Sequence, residues 1–243
     1  MSRVVEVSAA SGRPNATAGV YGRRVTVWFP LALFSLVLGA YWWRRGGDWQ
    51  WPDLAWFLAA VLQMVIRWPH VQRNRSNQAV GRRVGRLEQW LMLVVFLTLC
   101  FVPMVYLATP WFDHFGYTVP APLAVGAAMV MVLSLWLFHL SHAQLGRNWS
   151  PSLEIRQEHS LVTTGVYARV RHPMYSSIWL FALAQPFLVQ NWLAGALAVP
   201  GFALLYFLRV NEEERLMLDS FGQEYRAYMA RTGRLWPRLG AAA

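Results

Sequence analysis

Six apolar runs separated by short polar gaps organise the chain. They cover residues 25–43, 51–66, 91–108, 122–140, 176–189 and 192–208. A helix rising 1.5 Å per residue needs about 20 apolar residues to cross a bilayer core. Several runs approach that length, whereas the second and fifth are short enough to be only half-embedded. Trp28, Trp42, Trp43, Trp51, Trp68, Trp90, Trp111 and Trp192 lie near run ends, as an interfacial aromatic belt requires. Pro30, Pro103, Pro186 and Pro200 fall inside runs. A bundle tolerates them where neighbouring helices recover the freed carbonyls. The pattern predicts an all-α, multi-pass transmembrane bundle of about six spans, or five, followed by a helix that leaves the membrane.

Two polar stretches interrupt this pattern. One covers 141–173 and is irregular. The other starts at Val210, where Leu216, Leu218, Phe221, Tyr225 and Tyr228 have roughly helical spacing, weakened by Gly222. The chain therefore divides into an N-terminal tail (1–24), N-terminal spans (25–143) and a C-terminal region (144–243) carrying the polar chemistry.

Charge sharpens the topology. Only 14% of the 243 residues are charged, against about 25% in a soluble domain. All 22 basic residues are Arg, which hints at a GC-rich, bacterial genome. With six spans and both termini inside, 20 Arg fall on the cytosolic side and two, Arg44 and Arg45, outside. The +10 net charge is thus a topology signal and gives no reason to expect nucleic acid. The expected location is a bacterial cytoplasmic membrane, with the polar C-terminal region facing the cytosol. The polar first 24 residues do not read as a cleavable signal peptide. The single Cys100 excludes intramolecular disulfides and cysteine-based zinc sites. His139 and His142 are spaced to share a ligand but lack an evident third partner, so no metal site is expected. No Gly-x-Gly-x-x-Gly, P-loop or Gly-x-Ser-x-Gly is present, which excludes a Rossmann domain.

The densest polar cluster, Gly165 to Tyr175, precedes the fifth run. Pro173 disfavours helix at His172 and can open a helix itself. The His172 ring and free helix N–H groups would then sit at the membrane surface, a setting suited to anions. An ordinary interfacial anchor reads the same way. A second cluster joins Arg209 to Glu212, Glu213 and Glu214, with Arg209 and Glu213 at helical i,i+4 spacing. Here an exposed ion pair is the plain alternative. The two clusters flank runs joined only by Gln190-Asn191. Those runs must form an antiparallel hairpin, so Tyr175, His172, Arg209 and Glu213 converge at one depth.

These residues resemble a known family. His159-Ser160-Leu161-Val162-Thr163-Thr164-Gly165-Val166-Tyr167, then Arg171-His172-Pro173-Met174-Tyr175, is similar to the cofactor segment of isoprenylcysteine carboxyl methyltransferases. So is the Glu run followed by Leu216, Phe221-Gly222, Glu224-Tyr225 and Tyr228. The likeness spans about 145–237. It implies a membrane-embedded methyltransferase that uses S-adenosylmethionine and releases S-adenosylhomocysteine. It places His159, Leu161, Val162, Tyr167, Arg171, His172, Pro173, Tyr175, Glu213 and Glu214 around the cofactor. Arg209, with Glu213, takes the catalytic and substrate-handling position. The acceptor is a lipophilic or small molecule carrying a carboxylate or thiol. Phospholipid N-methyltransferases are similar over the same segment. NADPH-dependent sterol reductases share the pattern but usually carry Asn where this chain has Met174.

Overall fold

The structure is a computed structural model that describes residues 18–75, 79–82, 85–146, 154–156 and 160–238. All six apolar runs are helical. Helix α1 covers Ala18–Arg45 and α2 covers Trp51–Arg75. The third run is α3 (Arg86–Phe96), a π turn (Leu97–Phe101) and α4 (Val102–Ala108) in continuous register. Helix α5 covers Ala121–Leu145 and α6 covers Pro173–Leu188. A π turn at Trp192–Ala196 leads into α7 (Ala198–Arg231).

Among the described residues, four stretches are long and apolar enough to cross a membrane: Trp51–Gln72, Arg86–Ala108, Ala121–Leu145 and Trp192–Arg231. The second run, short in the sequence, belongs to a helix that continues well past residue 66 and is long enough to span. The fifth run stays short at 16 residues. Helix α1 begins at residue 18, inside the stretch expected as a tail. The chain is not wholly helical: strands β1 (Ala79–Arg82) and β2 (Glu154–Arg156) pair antiparallel.

Local sequence sets the boundaries. Gly46 and Gly47 adopt positive φ and end α1, as a left-handed C-terminal cap does. Proline opens α6 at its first position, where its missing N–H leaves no helix bond unmade. Gly222 has φ 51° and breaks α7 into two helical segments.

Buried side chains from all seven helices form one core, in which α6 packs against α5 and α7. Small residues, among them Ala127, Ala182, Ala184 and Ala198, are buried there and let backbones approach closely. Ser134 donates to the Ser177 carbonyl at 2.7 Å, tying α5 to α6. Gln185, fully buried, donates to the carbonyls of Thr98 (3.0 Å) and Ala194 (2.9 Å). One side chain thus joins α6 to both π turns.

The loops gather at opposite ends. At one end Asn191 donates to the Phe112 carbonyl at 2.7 Å, and Tyr117 donates to Pro186 at 2.7 Å. Arg44 holds Asp113 there at 2.8 Å and also binds the Tyr106 and Leu107 carbonyls. The start of α6 and the end of α7 meet at the other end.

Candidate functional site

The sequence 165–172 folds as a short 3-10 turn (Gly165–Ala168) and an extended link into α6. Gly165 has φ 61°, and a Cβ there would run into the Gln144 side chain. That close approach lets Gln144 accept from the Val166 N–H at 2.7 Å, pinning the turn to the end of α5. Tyr167 is buried, donates to the Ser141 carbonyl at 3.3 Å, and receives Tyr228 on its own carbonyl at 2.6 Å. Burial, with the Glu213 carboxylate adding to it, pushes the Tyr167 phenol well above its usual range. It stays a neutral donor.

Four side chains meet where this link enters α6. The Tyr175 hydroxyl donates to Glu213 Oε2 at 2.5 Å. His172 Nδ1 lies 3.7 Å from Glu213 Oε1. Arg209 Nε lies 3.8 Å from Glu213 Oε2, and its Nη1 lies 3.3 Å from Glu88 Oε1 on α3. The His172 and Tyr175 rings stack with centroids 5.4 Å apart. The hairpin argument thus brings together the residues it named. Glu213 keeps 32% of its side chain exposed, whereas Arg209 keeps 9%. The cluster is open at the carboxylate and closed behind it.

Glu214 has a different environment. Its carboxylate accepts from Arg171 Nε at 3.0 Å, from Arg234 Nε at 3.2 Å and from Arg234 Nη2, and meets His172 Nε2 at 3.3 Å. Arg171 also donates to the Thr232 carbonyl at 2.6 Å and the Met229 carbonyl at 3.3 Å. Arg171 and Glu214 therefore face protein groups and hold the link against the end of α7. Pro173 is buried beside them, while Leu161 and Val162 are half-buried upstream. His159 lies outside the described residues. His139 is exposed and His142 is buried against Phe138 and His70, so the two side chains have different surroundings.

Residues 124–219 match the isoprenylcysteine carboxyl methyltransferase (ICMT) family. The ICMT-like segment contains the whole His172–Tyr175–Arg209–Glu213 cluster. The chain is 31% identical over 110 residues to the cobalt-zinc-cadmium resistance protein CzcN of Cupriavidus metallidurans, covering 45% of this chain and 50% of that protein. It is 29% identical over 100 residues to the protein-S-isoprenylcysteine O-methyltransferase of Schizosaccharomyces pombe, covering 40% and 42%. The chain spans about half the length of these curated relatives. A solved eukaryotic intramembrane Ras methyltransferase, ICMT, superposes with a TM-score of 0.50 at 19% identity. That match covers 95% of this chain and 89% of the other, so the ICMT-like fold extends beyond the matched segment.

Sequence reasoning overlooked Glu88, Gln144 and Arg234. Glu88 could have been found by depth. The third run enters the bundle at the end where the sixth leaves, so acids at its start face Arg209.

Proposed function

We propose that this chain is an integral membrane methyltransferase that takes its methyl group from S-adenosylmethionine. The acceptor is a lipophilic or small molecule bearing a carboxylate or thiol. One observation carries the reading: His172, Tyr175, Arg209 and Glu213 form a single cluster inside the segment that resembles the methyltransferases. The methyltransferase activity of the S. pombe relative supports it.

The residues fit such a donor. S-adenosylmethionine combines an ammonium, a carboxylate, an adenosine and a sulfonium. Glu213, partly exposed, accepts from an ammonium or hydroxyl. The first turn of α6, opened by Pro173, offers backbone N–H groups to a carboxylate. Tyr175 and Tyr167 present aromatic surface, and a ring face attracts a cation by about 0.5–2 kcal/mol. When bound, the donor supplies an electrophilic methyl on a positively charged sulfur.

The remaining work falls to the chain. Transfer to an anion cancels charge, so the buried setting of Arg209 and Tyr175 favours reaction by keeping water from the separated charges. Arg209 is permanently cationic and orients an acidic acceptor. Holding both reactants in line removes much of the entropic barrier. A carboxylate or thiolate needs no general base. Under this reading Arg171 and Glu214 shape the site from behind and do not touch the donor.

Calorimetry with S-adenosylhomocysteine tests the proposal. Wild-type protein should bind, while Glu213→Ala and His172→Ala should lose binding yet still insert into membranes. Unchanged binding in both variants would overturn the site. Labelled S-adenosylmethionine with a host lipid extract, read by mass spectrometry, identifies the acceptor.

A further inference from the structure

The chain does not end its structural work at the end of α7. Thr232 is buried, and Gly233 turns the backbone so tightly that a Cβ there would run into the Trp236 carbonyl. Residues 233–235 then return along the link before α6. Gly233 accepts from the Arg171 N–H at 2.8 Å and donates to the Arg169 carbonyl at 3.1 Å. The Arg234 carbonyl accepts from the His172 N–H at 3.0 Å. Leu235 accepts from the Ser176 hydroxyl at 2.6 Å.

Arg234 reaches His172 a second time through its side chain. Its guanidinium grips both oxygens of Glu214, and Glu214 Oε1 meets His172 Nε2. Arginine presents a planar fork suited to that two-point contact. An ionised carboxylate only accepts, so the bond to Glu214 calls for a proton on Nε2. The other ring nitrogen, Nδ1, is the atom turned toward Glu213. A partner on one ring nitrogen selects what the other can do.

We propose that Arg234 is a positioning residue of the methyl-donor site. Its carbonyl fixes the height of His172, and its guanidinium, through Glu214, holds a proton on Nε2. The inference rests on the donor reading above, but the state of the His172 ring can be measured without the donor. Removing outer partners of histidine ligands in metal sites typically costs 10–100-fold in affinity. Arg171 still holds Glu214 when Arg234 is gone, so the lower end of that range applies.

The test uses full-length protein in detergent. S-adenosylhomocysteine is titrated into wild type, Arg234→Ala, Arg234→Lys and Arg238→Ala, the last a control on the same tail. Arg234→Ala should bind about tenfold more weakly, Arg234→Lys should recover part of the loss, and Arg238→Ala should match wild type. In parallel, protein labelled with 15N-histidine reports the ring tautomers, with His172 assigned by its loss in His172→Ala. Wild type should hold His172 protonated at Nε2, and Arg234→Ala should release it in part, because Arg171 still binds Glu214. If Arg234→Ala does not accumulate, Arg234→Lys carries the test through weakened binding and a partly released ring. Wild-type affinity in Arg234→Ala, or an unchanged ring signal whatever the affinity, overturns the proposal. A ring that is fixed in wild type and released in the variant, in protein that binds no S-adenosylhomocysteine, sinks the donor reading and leaves the positioning role standing.

Discussion

At the scale of single residues, Glu213 and Glu214 are neighbours with opposite surroundings. Successive helical residues point about 100° apart, so one faces the open cluster and the other turns toward Arg171 and Arg234. Glu214 keeps 6% of its side chain exposed, Glu213 32%. Glu214→Gln leaves two buried or half-buried cations without their carboxylate, a change that costs about 3 kcal/mol or more. Glu213→Gln keeps the Tyr175 contact in neutral form and should cost less than about 1 kcal/mol. Chemical denaturation of the two variants should therefore rank them in that order. Equal losses would show that the pair is one network. The identity of adjacent glutamates gives no sign of this division. It depends on which face of α7 meets the returning tail, and that tail is read as nothing in particular until its glycine turn is seen. The hairpin, in contrast, is legible from Gln190-Asn191 alone, because two residues leave no other geometry. That is why Tyr175, His172, Arg209 and Glu213 could be grouped from sequence while Arg234 could not.

At the scale of elements, the third run shows what hydropathy hides. Pro103 signals an interruption, but the pattern of apolar residues is indifferent to how the backbone resolves it. The helix inserts a π turn at Leu97–Phe101, a common response where the regular ladder is broken. The Thr98 carbonyl then turns to Gln185 on α6, which also serves Ala194 in the second π turn. Gln185→Leu removes both donors inside an apolar bundle. An unsatisfied buried polar group costs about 1–3 kcal/mol, so this variant should lose roughly that amount or more, seen as a lower melting temperature. Gln185→Glu tests the same point from the other side, since an ionised Glu cannot donate. A melting temperature unchanged in both variants would remove the staple from the account of stability. The ribbon of β1 and β2 was equally invisible, because its paired residues lie 72 or more positions apart in polar gaps with no alternating pattern.

For the whole molecule, the contacts sort the loops into two ends. The 109–120 segment, the Gln190-Asn191 turn and Arg44 share one end. The ribbon joins the two Arg-rich gaps, and the His172–Tyr175–Arg209–Glu213 cluster gathers where α6 begins. From the Arg distribution we propose that the first end lies outside and the second in the cytosol. Cysteine labelling checks this. With Cys100 replaced by Ala, Thr118→Cys should react with a membrane-impermeant maleimide in intact cells. Glu224→Cys should react only after the cells are opened. The reverse result would invert the topology.

The brevity of α6 has a consequence of its own. Its 16 residues reach about 24 Å, while the 25 of α5 reach about 38 Å. A short strut among taller ones leaves room at each end. On one side Phe112 and Tyr117 occupy it, bonded to the Asn191 side chain and the Pro186 carbonyl. On the other, the 165–172 link and the returning 233–235 backbone close over His172. The length of one helix thereby decides how much non-helical chain the bundle can shelter at each end.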